Sequence, residues 1–256
     1  MDIGMLGRFF GRLTGGNWRP PAQELAFAAS AGFDTVQIRS DRPGEIRDEL
    51  GIEPEELGAL FDDNGLEPVL EMLVRHQGEP GTFARALRAN LPAIEAIGFL
   101  RVHVHPVGPG DAGAHLAADF AEALSVAEDA GLIFAVEHNA PGHRLLVDPA
   151  DIEALLEAVP GLGFVWDVNH TGADDVDRFL ALRERITLVH VSDTPLPETN
   201  HHLPLGRGTV DFAPVRTFDV PLILEVGGLP HSGGPGLDTD EALRESSARL
   251  RGEAQE

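Results

Sequence analysis

The stretch LIFAVEHNAPGHRLLVDPADIEALLEAVPGLGFVWD, residues 132–167, holds the pattern that decides the fold. It opens on a short apolar run, Leu132–Glu137, that reads as a strand ending in a carboxylate. A turn follows, and the pair Asp148-Pro149 then supplies a helix start, because proline is pre-set for the first helical position and aspartate caps it. Ile152–Val159 has helical spacing, and a second apolar run, Gly163–Asp167, again ends in an acid.

The same unit recurs outward in both directions. Strands are expected at Asp2–Leu6, Thr35–Arg39, Pro68–Leu73, Leu100–His105, Thr187–Val191 and Pro221–Glu225, besides the two just named. Helices are expected at Pro21–Ala31, Glu53–Asp63, Phe83–Ile97 and Ala114–Ala130, besides Ile152–Val159. Pro54-Glu55-Glu56 gives another helix start, and Gly32, Gly65, Gly98 and Gly131 give helix ends. Eight strands alternating with helices at roughly 25 to 35 residues predict an α/β fold, a (β/α)8 barrel formed by one domain over residues 1–256. A doubly wound open sheet would favour a GxGxxG turn after the first strand, and LGRFFGRLTGG (residues 6–16) does not match it.

Missing residue types narrow the chemistry. The chain has no cysteine, which excludes disulfides, thiolate metal sites and cysteine nucleophiles. It has no tyrosine and no lysine, so Schiff-base, pyridoxal-phosphate and Walker-type phosphate chemistry are excluded too. His, Asp, Glu and Arg remain. The formal net charge of -23 repels nucleic acid and anionic membranes, so neither is expected as a partner; it reads as a solvated acidic surface. No apolar run reaches the roughly 18 to 20 residues of a membrane span. The N-terminus MDIGMLGRFFGRL is interrupted by Arg8 and Arg12, so no secretory signal and a cytoplasmic location are expected.

Active sites of such barrels form at the C-terminal ends of the strands. The fifth strand ends in Glu137, the sixth in Asp167 and the eighth in Glu225, and the seventh carries His190 near its end. Four adjacent strands thus place a metal-competent side chain at one height. Three carboxylates and an imidazole suit Mn²⁺, Mg²⁺ or Co²⁺ at least as well as Zn²⁺, and one divalent ion would offset most of the charge. His103 and His105 alternate along the fourth strand and share a face. Glu71 and His76 lie near the end of the third strand as candidate pocket residues. Arg39 ends the second, as an anchor for a carboxylate or phosphate or as a surface arginine. Trp166 is expected to face the helix layer, because its neighbour Asp167 faces inward.

The segments AVEHN, WDVNH, LVHVSD, HLPLGRGTVDF and LILEV resemble the xylose isomerase-like barrel superfamily, and within it the sugar-phosphate isomerase/epimerase branch. The resemblance implies one divalent metal ion on Glu137, Asp167, His190 and Glu225. His170, from the D-x-x-H motif, is implied to contact substrate. It further implies an isomerase or epimerase of a sugar or sugar-like polyol ketone, in which Glu137 and Glu225 move a proton through a metal-stabilised enediolate. The same site would serve an inosose-like dehydratase, or a non-catalytic ligand-binding barrel. His105 is read as a substrate contact, a ligand of a second metal or a structural residue; His103 as a hydrogen-bonded core histidine. Arg207, in the turn Gly206–Gly208, is read as reaching over the pocket or as part of a plain turn. His201 and His202 are read as lying in an exposed loop, or one of them as entering the site as a lid residue. Asp193 is expected to orient a loop or His190 itself. Relatives are often oligomers, so a homo-oligomer is in keeping with the resemblance. Two positions depart from the ketose 3-epimerase pattern: Leu196 stands where an arginine is usual, and the second strand offers Gln37 and Arg39 in place of an acid. An endonuclease-like reading lacks its D-x-H motif after the seventh strand. An amidohydrolase reading of His103-Val104-His105 falls on the wrong strand.

Overall fold

The structure, a computed structural model, describes residues 1–9, 17–109, 115–227 and 236–253. Eight parallel strands close into a barrel in chain order, with the last strand against the first. They are β1 (Ile3–Leu6), β2 (Thr35–Ser40), β3 (Glu67–Arg75), β4 (Arg101–Val107), β5 (Ile133–Glu137), β6 (Gly163–Asp167), β7 (Ile186–Val191) and β8 (Leu222–Leu224). The expected (β/α)8 architecture is therefore the observed one, and each expected strand overlaps a real one. Glu225 lies just beyond β8, where its backbone N–H still donates to Val191 at 3.0 Å.

The outer layer contains α1 (Pro21–Ser30), α2 (Ile46–Leu50), α3 (Pro54–Asn64), α4 (Thr82–Ile97), α5 (Leu116–Asp129), α6 (Pro149–Ala158), α7 (Val176–Leu180) and α8 (Asp240–Arg251). Asp148 caps α6 by accepting from the N–H of Ala150 at 2.9 Å, so the helix begins at Pro149, three residues before the expected Ile152. Gly65 and Gly98 end α3 and α4 in the left-handed conformation. The expected start of the fifth helix, Ala114, lies outside the described residues, as does Arg12. The short α2 and α7 and the polar α8 were not among the expected helices. The buried face of α8 combines Leu243 and Leu250 with Ala242, Ser246 and Ser247, so its apolar stripe is faint in sequence.

Most of the core lies between strands and helices. A second, small cluster fills the inside of the barrel: Val69, Ala135, Val165, Leu188 and Ile223. Side chains alternate along a strand, so the next inward position is two residues further on. Those positions are Glu71, Glu137, Asp167, His190 and Glu225. The apolar plug is thus a floor, and the polar cluster stands directly on it.

Arg8, which breaks the first apolar run, is buried after β1. It donates to both carboxylate oxygens of Glu24 on α1 at 2.6 and 2.9 Å, to the carbonyl of Asp238 at 2.7 Å and to Asp240 on α8 at 2.9 Å. It ties the first strand to the first and last helices across the seam of the barrel. Among the described residues no helix is long and apolar enough to cross a membrane.

Gly58 sets how closely α3 approaches α4. A β-carbon there would lie 2.5 Å from the carbonyl oxygen of Ala96 and 3.1 Å from Cα of Ile97. Alanine favours a helix over glycine by about 1 kcal/mol, whereas a clash with neighbouring backbone costs about 1–3 kcal/mol. Gly58→Ala is therefore expected to lower stability in urea denaturation; a gain would mean that the two helices separate freely.

Candidate metal centre

One oxygen each of Glu137, Asp167 and Glu225 and one ring nitrogen of His190 lie within 4.8 Å of one another, all buried. His190 Nδ1 is 3.2 Å from Glu137 Oε1 and 3.6 Å from Glu225 Oε2. Register explains the convergence: Asp167 pairs with His190 across β6 and β7, and His190 pairs with Ile223, two residues before Glu225. His190 Nδ1, Glu137 Oε2 and Asp167 Oδ2 are buried with no hydrogen-bond partner. Unpartnered buried acceptors are costly, and a divalent cation held among these residues would offset that cost. The donor set fits such an ion: mostly oxygen, one imidazole, no sulfur.

The remaining expected residues divide clearly. His105 joins the cluster, with Nδ1 3.3 Å from Glu137 and 3.4 Å from Glu71. Its Nε2 is 2.9 Å from Oδ1 of Asn139, whose amide nitrogen donates to the carbonyls of Pro106 and Leu145, so His105 Nε2 must be the donor. His170 also joins: its Nδ1 lies 3.1 Å from both the carbonyl of His138 and Asp167 Oδ2. Arg39 stands at the rim, bonded to Asp41 at 2.7 Å and 4.0 Å from Glu71.

Several readings change. His103 faces the cluster, but its Nε2 has no hydrogen-bond partner, so it is not the bonded core residue expected. His76 turns away from the pocket to Asp119 at 2.7 Å and packs on Phe83, because Asp119 also collects the N–H groups of Gly81 and Thr82. Of the two readings of Asp193 the loop is the one observed: its carboxylate accepts the N–H groups of Thr194, Gly206, Gly208 and Val210 and so folds the loop after β7. Gly206–Gly208 is a plain turn on that carboxylate, with Arg207 exposed and no hydrogen bond or ion pair from Arg207 to the cluster among the described residues. His201 is buried and His202 half-buried, so the exposed loop is not observed; of the two it is His202, with Nδ1 4.0 Å from Glu225 Oε2, that comes close to the cluster. The side chain of Asn169 accepts the N–H groups of both, and His202 Nδ1 lies 2.9 Å from the carbonyl of Glu225. Trp166 packs against Phe218 and donates to Thr171, in the helix layer as expected.

Asn139, Asn169 and His138 carried no role in the sequence reading. Each lies one or two residues past a strand end, where barrel sites form, and a polar residue at that place is the signal that could have found them.

Burial disfavours every charge in the cluster, and neighbours decide which groups keep one. Burial raises the Glu225 carboxyl to about 8, helped by Glu71 and Glu137 and opposed by His190. Burial likewise raises Asp167 to about 6. Against burial, Glu225 and Glu137 lift His190 to about 10. Also against burial, His105 and His190 hold Glu137 well below its ordinary value, and Arg39 and His105 lower Glu71 to about 2. Burial takes His170 down to about 4, so its ring is neutral near pH 7.

No curated protein matches the sequence. The family profile described as xylose isomerase-like TIM barrel matches residues 25–245. Among solved structures, the IOLI protein with a binding zinc atom is similar at a TM-score of 0.78 and 15% identity, over 98% of each chain. D-psicose 3-epimerase with D-tagatose, from Clostridium cellulolyticum, is similar at 0.73 and 12% identity, over 98% of this chain and 97% of that one. The TTHB071 protein from Thermus thermophilus, soaked with ZnCl₂, is similar at 0.66 and 20% identity over the whole of both chains. At these identities the likeness is one of fold.

In chelator-treated protein these shifts set a pH dependence. The folded state keeps a proton on Glu225 up to about pH 8, whereas the unfolded chain releases it near 4.5. Asp167 behaves alike between 3.8 and about 6, and His190 between 6.5 and about 10. The folded state binds more protons across these windows, so stability falls as pH rises through them. Glu71 has the opposite sign, losing its contribution as pH falls from 4.5 to about 2. Below pH 6.5 the imidazoles of His170 and His138, which burial lowers to about 4 and about 3, act in the opposite sense; above it the melting temperature is expected to decline from pH 7 to 9 in the presence of chelator, with a shallower decline in Glu225→Gln between pH 7 and 8. An identical slope in that variant would remove Glu225 as its source.

Proposed function

This chain belongs to the xylose isomerase-like TIM barrel family, and from that premise we propose that it is a divalent-metal-dependent isomerase or epimerase of a small sugar or sugar-like polyol ketone. The observation that carries the reading is the convergence of Glu137, Asp167, His190 and Glu225 within 4.8 Å, with buried donor atoms on three of them left unpartnered. These four residues would hold the ion, with Mn²⁺, Mg²⁺, Co²⁺ and Zn²⁺ all compatible with the donor set. A fold shared with an epimerase crystallised with a ketose supports a polyol ketone as substrate.

A divalent ion, when bound, supplies Lewis acidity, acidifying the proton on the hydroxyl-bearing carbon beside a carbonyl. The chain's residues do the rest. Glu137 ends β5 and Glu225 lies just beyond β8, two strands that are not neighbours in the barrel. One takes the carbon-bound proton from one face of the substrate, and the other returns a proton to the opposite face. His170 donates from Nδ1 to the carbonyl of His138, which leaves Nε2 as an acceptor for a substrate hydroxyl. His105 and Arg39 line the same mouth and would bind further substrate oxygens. The floor of Val69, Ala135, Val165, Leu188 and Ile223 keeps bulk water from reaching the carboxylates from below.

Purified protein is expected to bind a divalent ion, and His190→Ala to lose it. With ketoses and cyclic polyol ketones in heavy water, the product should carry deuterium at the inverted carbon. Glu137→Gln and Glu225→Gln should each lower turnover by roughly 10²- to 10⁴-fold. A dehydrated product would assign the site to a lyase instead, and failure of the wild type to bind any divalent ion would overturn the reading.

A further inference from the structure

The second strand brings no acid to the cluster; what it brings is Gln37, buried between Val36 and Ile38. Its side-chain amide touches three members of the site. Nε2 lies 2.9 Å from Glu225 Oε1 and 3.1 Å from Glu71 Oε2, and Oε1 lies 2.8 Å from His190 Nε2.

The chemistry of these groups leaves one consistent assignment. With a cation in the centre Glu225 and Glu71 are ionised and only accept, so the amide nitrogen belongs on their side. The amide oxygen then faces His190, and an amide oxygen also only accepts. His190 Nε2 must therefore carry a hydrogen. In the neutral ring Nδ1 then holds the lone pair, and it is Nδ1 that faces Glu137 and Glu225 and lacks a hydrogen-bond partner.

We propose that Gln37 is a positioning residue for this centre: it fixes His190 in the tautomer that presents Nδ1 to a cation, while its two amide hydrogens hold Glu225 and Glu71 in place. The inference rests on the metal-centre reading above. Groups behind a metal-bound histidine select its tautomer and orient the ring, and their loss commonly weakens metal binding by about 10- to 100-fold. No other side chain of similar size does all three things. Glutamate at 37 would accept from His190 but donate to neither carboxylate, and would add another buried charge. Leucine would leave His190 Nε2 and an oxygen of Glu225 without partners.

The test uses the full chain, stripped with chelator and reloaded. Zn²⁺ and Co²⁺ affinities are measured by competition with a chromogenic chelator for the wild type and Gln37→Leu, with Gln37→Met as a second variant should Leu fail to fold. A loss of about 10- to 100-fold is expected. In nitrogen-15-labelled protein loaded with cadmium-113, scalar coupling should reach Nδ1 of His190 in the wild type and weaken or redistribute in the variant. A residue that merely packs would leave the ligating nitrogen unchanged. Unaltered affinity in both variants, or coupling to Nε2 in the wild type, would refute the role of Gln37 while leaving the metal centre standing. Absence of divalent-ion binding by the wild type would remove both.

Discussion

Four carboxylates, those of Glu71, Glu137, Asp167 and Glu225, are buried together at the mouth of the barrel, and the surrounding structure answers the repulsion among them. At interior dielectric, like charges a few ångströms apart repel strongly, and burial withdraws the water that would screen them. The chain has no lysine to place among them. It uses three other devices: the imidazoles of His105 and His190 between pairs of acids, the guanidinium of Arg39 at the rim, and the amide of Gln37 shared by two of them. Where those do not suffice, protons are retained, which is why Asp167 and Glu225 titrate high while Glu137 and Glu71 titrate low.

This assembly depends on the closed barrel. A parallel sheet closed on itself turns every second side chain inward, and the stagger of the strands carries the ends of β5 to β8 to one level. The small residues Ala135 and Val165 fill the narrow interior one step below Glu137 and Asp167. A slip of one residue in any of these strands would exchange floor and site residues for outward-facing ones. The apolar floor and the polar cluster are thus one register written twice.

That register is why so much was legible in the sequence. Strand ends in acids recurred at regular intervals, and alternation placed them on one face, so the fold and the positions of Glu137, Asp167, His190 and Glu225 could be read without coordinates. The readings that failed or stayed open share a cause. His76, Arg207, His201 and His202 lie on loops or just past strands, where no periodicity fixes direction. Their placement depends on remote partners: Asp119 for His76, Asp193 for the 206–208 turn, Asn169 for His201 and His202. Gln37 was legible as a polar residue within an apolar strand, yet its importance lies in contacts spanning 34, 153 and 188 positions, which no local pattern encodes.

The two halves of the site are therefore held by different physics. Ligand atoms on strands are positioned by backbone pairing, which is cooperative over the whole sheet and hard to perturb at one residue. The loop after β7 is positioned by single side chains that gather several backbone N–H groups. Gly208 shows how tight that gathering is, since a β-carbon there would lie 2.3 Å from Asp193 Oδ1 and 2.4 Å from the carbonyl oxygen of Thr194. Substitution at Asp193 or Asn169 would leave the four strand-borne groups where they are and release the segment that carries His202 over them. Rigid placement of charge below and individually pinned placement of polar contacts above is a division that lets loop contacts vary while the cluster beneath them stays fixed.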